Sequence, residues 1–488
     1  MRTAIIGAGI AGLASAVRLA LQGHQVTVYE AQPGPGGKLT QFSLGDYRFD
    51  LGPSLFTMPQ YVDELFELAG ENPRDHFNYQ RLPVICNYFW EDGTRLHAHA
   101  QAEDFAEEVE RVLETSGEDV LEMLADAERK YQLTGRTFLE KSLHRLDTWT
   151  NWEVVKAMLR IPSFGLFTSM NDVHQQKVKH PKLVQLFNRF ATYNGSNPYK
   201  APGLLTIIPH FEHHFGAYLP EGGMYSITNA VYELAKRQGV QFQFNTRVDE
   251  ILVEGQQVAG IRCGDERLPY EQVVSNMDIF FTYDQLLPNQ PQPKRILAQE
   301  KSTSALIFYW GINRAFPELN CHNILFSEDY PAEFGAMERG EMFADPTVYI
   351  NKTSHLVEGD APAGKENWFV MINAPCDRGQ DWDTLTELTR ERTLRKIQQI
   401  LKVDIASLIE EEFVLRPPEI QTRTGSHLGS LYGTSSNNRM AAFMRHPNFS
   451  RRIDHLHFVG GSVHPGGGIP LCLLSAKITA DLISEVGA

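Results

Sequence analysis

Cysteine is scarce in this chain of 488 residues. There are five: Cys86, Cys263, Cys321, Cys376 and Cys472. They are scattered, odd in number and never spaced C-x-x-C. That excludes a disulfide framework and a cysteine-based metal site, and it suits a reducing compartment such as the cytosol. Positive charge is also short. A formal net charge of −15 argues against a nucleic-acid partner, which wants a basic patch. No run of eighteen consecutive apolar residues occurs, so no transmembrane helix is expected. No H-E-x-x-H or comparable ligand spacing occurs among the 17 histidines, and the nearest cluster is His210, His213 and His214. No metal site is assigned.

What is present begins at once. Thr3–Ile6 reads as a short buried strand and runs into Gly7-Ala8-Gly9-Ile10-Ala11-Gly12, a G-x-G-x-x-G turn. Leu13–Leu21 suits a helix packed on a sheet, and Val26–Glu30 reads as a second strand ending in an acid. Glu30 lies eighteen residues beyond Gly12. In such a βαβ unit Gly7 allows the tight turn, Gly9 lets backbone approach a pyrophosphate, and Gly12 lets helix and strand pack closely. The helix N-terminus supplies N–H donors and the positive dipole end for phosphate. Glu30 can accept hydrogen bonds from a ribose diol. The opening residues loosely imitate a signal peptide, but the glycines and Arg18 interrupt the apolar stretch.

A second glycine cluster, Pro35-Gly36-Gly37-Lys38, follows almost immediately, and then Phe49-Asp50-Leu51-Gly52-Pro53-Ser54. Here the sequence resembles the flavoprotein amine oxidase and phytoene desaturase superfamily. The resemblance implies FAD rather than NAD. It places Gly37, Lys38, Gly52, Pro53, Ser54 and Leu55 along the flavin, and Val248 against the adenine. Pro220-Glu221-Gly222-Gly223-Met224 and Val273-Val274-Ser275-Asn276 occur in the same order as in that family.

The second anchor is C-terminal. Phe458-Val459-Gly460-Gly461-Ser462 reads as strand and turn. His464-Pro465-Gly466-Gly467-Gly468-Ile469-Pro470 follows, then a helix from Leu471 to Val486. The glycines allow backbone to pack on a flat ring, and the helix N-terminus can stabilise negative charge there. This ending resembles the phytoene desaturase branch, although Gly461 stands where many relatives have alanine. Gly460, Gly461, Gly468, Ile469 and Pro470 are carried over as cofactor contacts. His464 is the tempting base, but a structural role in the turn is favoured, and no catalytic residue is assigned.

Between the anchors, Phe105–Leu146 reads as two solvent-facing helices, with Glu107-Glu108 a wetted face. Residues 149–170 are dense in large apolar groups, and Lys156 and Arg160 share one helical face. Such a segment suits either a bilayer surface or a core helix. The aromatics Phe187, Phe190, Tyr193, Tyr199, Phe211, Phe215 and Tyr218 suit either a greasy substrate or plain packing. Strands near 303–310, 347–350 and 368–372 are expected to floor a substrate domain.

The implied fold is α/β. A Rossmann-like FAD-binding domain of the glutathione-reductase kind comprises 1–80, 220–290 and 416–488. An inserted α+β substrate and membrane-associating domain comprises 81–219 and 291–415. The stretches 322–330, 345–350 and 366–375 resemble the hydroxycarotenoid 3,4-desaturase group more than bacterial phytoene desaturases. The resemblance implies an FAD-dependent desaturase acting on a hydrophobic polyene, peripheral on the inner face of the cell membrane, with oxygen or a quinone as final electron acceptor. Phytoene desaturation, or carotene isomerisation or saturation, would use the same scaffold. A flavin-free carrier of prenylated lipid and an amine oxidase are the remaining rivals.

Overall fold

The structure is a computed structural model that describes residues 1–135, 139–150, 152, 164–438, 440–441 and 444–486. One half is built on a five-stranded parallel sheet in the order Leu456–Phe458, Gln272–Ser275, Arg2–Ile6, Gln25–Tyr29, Gln241–Gln243. Strands from both ends of the chain thus lie within one sheet. Ile5, Val28 and Val274 are fully buried in it. The helices Ile10–Leu21, Tyr225–Arg237 and Ile469–Val486 pack together on it through Leu13, Val17, Val231 and Leu474. Parallel strands need covered faces, and these apolar helices supply the cover.

The sequence placed the last helix at Leu471. It begins at Ile469, with Pro470 in its first turn, where the missing N–H of proline is harmless.

A seven-stranded sheet forms the other half, in the order Ile409–Leu415, Ser304–Ile312, Glu366–Ala374, Val348–Lys352, His322–Leu325, Val84–Phe89, Arg95–His99. All its pairings are antiparallel except His322–Leu325 with Val84–Phe89. Every residue of Ser304–Ile312 is buried. Side chains alternate across the pleat, so Leu306, Phe308 and Trp310 enter one core, under the helix Trp382–Leu401. Ala305, Ile307 and Tyr309 enter another, against Phe49 and Leu415. The strands expected near 303, 347 and 368 are all here.

Two expectations change. The helices Ala102–Leu113 and Glu118–Lys130 form where two helices were read, but Glu108 is not wetted. It is buried, accepting from the His97 N–H (3.4 Å) and the Arg111 Nε (3.1 Å). An acidic pair in sequence says nothing of which member turns inward. Among the aromatics, Phe187 and Phe190 are fully buried packing residues, whereas Tyr193 and Phe211 reach the cavity described below. Of the 149–170 segment, Val154, Val155, Lys156, Met158, Leu159, Arg160 and Ile161 lie outside the described residues. Met170 is buried at the start of the helix Met170–Lys177, and Phe167 is 62% exposed. Among the described residues no helix is long and apolar enough to cross a membrane.

The F-D-x-G segment joins the halves. Asp50 accepts from the N–H groups of Met224 (2.8 Å) and Tyr225 (2.9 Å) at the start of the helix Tyr225–Arg237. Arg48 donates to Asp50 (3.0 Å), Asp360 (2.7 Å) and the Gly222 carbonyl (2.7 Å). Replacing Asp50 with Ala leaves two N–H donors and part of a guanidinium without partners. We expect a loss of about 2–3 kcal/mol in unfolding free energy, read from urea denaturation at neutral pH.

Candidate active site

The parallel sheet has a topological switch at Arg2–Ile6, whose neighbours lead away on opposite sides. Ligands in such sheets bind beyond the carboxyl ends of the strands. Here four strand ends converge: Ile6-Gly7, Tyr29-Glu30, Asn276 after Ser275, and Gly460 after Phe458. They open onto a cavity of about 930 Å³, whose far wall is the seven-stranded sheet, through Ile307, Phe369 and Met371.

Gly7, Gly9, Glu30, Gly37, Lys38, Gly52, Pro53, Ser54, Leu55, Val248, Gly460, Gly461, Gly468, Ile469 and Pro470 all line this one cavity. Ala8 and Gly12 stand behind its wall. The Ala8 N–H is taken by Glu30 Oε2 (2.8 Å), and Glu30 Oε1 accepts from the Gln32 N–H (2.9 Å). A Cβ on Gly12 would lie 2.2 Å from the Gly7 carbonyl oxygen, so only glycine permits this helix start. Gly52, at φ +126°, is fixed as firmly: a Cβ there would lie 1.8 Å from the Lys38 carbonyl oxygen. The two glycine loops touch through the pairing of Gly9 with Gly36 and the Gly36 N–H to the Ala8 carbonyl (2.9 Å).

Asn276 holds this together. Its Oδ1 accepts from the Gly12 N–H (3.1 Å) and its Nδ2 donates to the Val459 carbonyl (3.2 Å). The sequence marked the V-V-S-N run but did not single out this side chain. The hydrogen-bonding amide closing that run was the available signal.

The cavity suits a large, flat, partly anionic group. A Cβ on Gly468 would have nothing within 4 Å, so this bare backbone faces open space at the start of the last helix. Arg445 also lines the cavity. It is buried, its Nη1 has no hydrogen-bond partner among the described residues, and burial pulls its pKa down to about 10. Lys38 donates to the carbonyls of Leu431 (2.7 Å) and Ser430 (3.3 Å), and burial lowers its pKa. Sequence reasoning missed Arg445, which belongs to no recognised motif.

His464 lines the cavity but is poorly placed to take protons. Burial pushes its pKa down to about 3, and His144, 5.7 Å away ring to ring, adds to the effect. Its Nε2 donates to the Lys141 carbonyl (2.9 Å), leaving the buried Nδ1 without a partner. The ring thus pins residues 139–150 against the C-terminal turn. The histidine cluster near 210 is also structural in geometry. His210 stacks on His214 (4.4 Å between centroids) while His213 stacks on Phe105 (5.3 Å). Among the described residues no group of three or more His, Cys, Asp or Glu side chains could hold a metal.

Parallel sheet, glycine loops and an apolar-walled cavity define a dinucleotide-dependent oxidoreductase. The chain belongs to the flavin-containing amine oxidoreductase family, which it matches over residues 10–484. Its cofactor is accordingly FAD, and it is an FAD-dependent oxidoreductase. It is 49% identical over 485 residues to the 1-hydroxycarotenoid 3,4-desaturase of Flavobacterium sp. (strain P99-3), covering 99% of each chain. It is 31% identical to the 4,4'-diapolycopene oxygenase of a Methylomonas species, covering 99% of this chain and 98% of that one. The fold is shared with cyclohexylamine oxidase from Brevibacterium oxydans at a TM-score of 0.64 and 15% identity, covering 99% of each chain.

The His464 ring yields a pH test. Its folded pKa lies below that of an imidazole in the unfolded chain, so on acidification the unfolded chain binds the proton first. The neutral ring's contribution is complete above the unfolded pKa and falls as pH drops from there towards about 3. His464→Gln removes that dependence. Between about pH 7.5 and pH 5.5 we expect the stability gap between wild type and variant to shrink by about 1.4 kcal/mol, read from urea midpoints at the two pH values.

Proposed function

We propose that this enzyme introduces a carbon–carbon double bond into an acyclic carotenoid, and that its substrate is a 1-hydroxylated carotene oxidised at the 3,4 position. The observation that carries this is the 49% identity across the whole chain to an enzyme of that activity. The apolar sheet face opposite the glycine loops supports it, because a polyene offers few polar handles and is gripped by packing.

We assign the division of labour as follows. Segments 1–80, 220–290 and 416–488 hold the cofactor, and 81–219 with 291–415 hold the substrate. Gly7 and Gly9 would carry the pyrophosphate, with Ala8 and Gly12 shaping the turn behind them, Glu30 would hold the ribose and Val248 the adenine. Gly37, Lys38 and Gly52–Leu55 would flank the flavin from one side, and Gly460, Gly461 and Gly468–Pro470 from the other. Bound FAD supplies the hydride acceptor. The chain's residues supply position and dryness. The helix Ile469–Val486 turns its N-terminal N–H groups towards the cavity, where they and buried Arg445 favour negative charge. Lys38, occupied by two carbonyls, fixes the second glycine loop against the segment at 430–431. His464 stays neutral and holds the turn.

Purified protein reconstituted with FAD, given liposomes carrying a 1-hydroxylated acyclic carotene, is expected to yield a product with red-shifted absorption. Phytoene in parallel liposomes stays unchanged. Conversion of phytoene instead would keep the desaturase and overturn the hydroxylated substrate. Omitting oxygen and then adding a quinone distinguishes the two electron acceptors.

Such a substrate resides in bilayers, and we place the protein on the inner face of the cell membrane. Trp152 (64%) and Phe167 (62%) are the most exposed large apolar side chains among the described residues, and both belong to the segment 149–170 read as amphipathic. Replacing both with Ser is expected to weaken co-sedimentation with liposomes by at least about tenfold, with FAD content unchanged.

A further inference from the structure

A hydrocarbon would need no charge in its binding cavity, yet this cavity has one built into its wall. Arg189 and Glu212, both buried, face each other at 3.4 Å. Arg189 Nη1 donates to Tyr193 Oη (2.7 Å) and its Nη2 to Tyr88 Oη (2.8 Å). Tyr193 Oη donates in turn to Glu212 Oε1. Burial pushes the Glu212 carboxyl up, and the guanidinium and the tyrosine hydroxyl pull it back. Arg189, Tyr193 and Glu212 all line the cavity. Burying such a pair in a greasy pocket is unfavourable unless its remaining hydrogen-bonding capacity is met.

That capacity is not fully met among the described residues. There Arg189 Nε is buried without a partner, and so is the hydroxyl of Tyr330, another cavity residue. His322, also on the wall, repeats the pattern. Its Nδ1 faces Tyr349 Oη (2.7 Å) and Asn351 Nδ2 (3.3 Å), while its Nε2 is buried with no hydrogen-bond partner among the described residues. Three polar groups, on three separate elements, are left over around one ion pair.

The position matters as much as the surplus. Tyr349 Oη bridges His322 Nδ1 (2.7 Å) and Ser54 Oγ (2.7 Å). Ser54 belongs to the Gly52–Leu55 segment assigned to the flavin. A hydrogen-bonded chain thus runs from the flavin side of the cavity to the polar wall. In a 1-hydroxylated end group only one carbon separates the hydroxyl-bearing carbon from the 3,4 bond. Whatever holds that hydroxyl must lie close to the flavin.

We infer that the Arg189–Glu212–Tyr193 cluster, with the unpaired hydroxyl of Tyr330, is the subsite that receives the substrate's terminal hydroxyl and so selects the bond to be oxidised. This rests on the carotenoid desaturase assignment above. The hydroxyl both donates and accepts, so it can enter a network that already holds a carboxylate and surplus N–H and O–H groups. Tyr193 and Tyr330 are specificity residues here and not participants in hydride removal.

The test uses FAD-loaded wild type, Tyr193→Phe and Tyr330→Phe. Two measurements are made with each: kcat and KM on a 1-hydroxylated acyclic carotene in liposomes, and the inhibition constant of the same carotene without its hydroxyl. Tyr330→Phe removes a hydroxyl that bonds to nothing among the described residues, so folding is not at risk even if Tyr193→Phe proves unstable. Each variant is expected to lose about tenfold in kcat/KM on the hydroxylated carotene, mainly through KM, while the hydrocarbon's inhibition constant stays within about twofold. Equal weakening of both ligands would make the cluster a structural ion pair and overturn the inference. So would an unchanged KM in Tyr330→Phe. A wild type that ignores the hydroxylated carotene altogether overturns the proposed hydroxylated substrate first, which separates the two failures.

Discussion

One side-chain amide sets the spacing of the whole site. Asn276 ends a central strand, accepts from the first helix and donates to the last strand. Cβ atoms on Gly9, Gly12 or Gly460 would each come within about 3 Å of its amide atoms. Three segments distant in sequence therefore approach to a distance only bare backbone allows, and they do so around one planar group that satisfies both neighbours. The cleft exists because these strands stop in register there. Loss of the amide would free a helix-initiating N–H and the Val459 carbonyl together, at the cavity wall.

The two ends of the chain meet for a related reason. The sheet needs Leu456–Phe458 as its edge and the helix Ile469–Val486 as cover, so the nucleotide half is complete only when the last residues have joined the first. The intervening chain is free to build a separate, largely antiparallel sheet whose inner face closes the cavity. The two sheets thereby share one void, the parallel one bringing the glycine loops to it and the other an apolar face.

Much of this is legible in the sequence because it is written locally. The turn Gly7–Gly12, the loops at Gly37 and Gly52 and the ending Gly466–Pro470 each carry a backbone requirement that glycine or proline alone meets, and the acid at Glu30 is revealed by its spacing from the turn. What is not legible is written across distance. Arg445 becomes notable only when burial leaves a guanidinium nitrogen unpaired beside the cavity. Arg189 and Glu212 sit in a stretch that reads as aromatic, and nothing in their spacing announces an ion pair. Glu108 looks identical to Glu107 until the helix is docked. Asp50 matches a motif, yet its partners are backbone groups some 174 residues away, so its work as a tie between the halves is visible only in three dimensions.

The strand Ser304–Ile312 carries a consequence for how such an enzyme can change. Its neighbouring residues answer to different demands, one parity to the packing under the helix Trp382–Leu401, the other to the side shared with the cavity wall. A lineage can therefore alter the wall at Ile307 while Leu306 and Phe308 on either side of it keep the sheet anchored. A change of cavity shape and maintenance of the scaffold fall to adjacent residues of one strand.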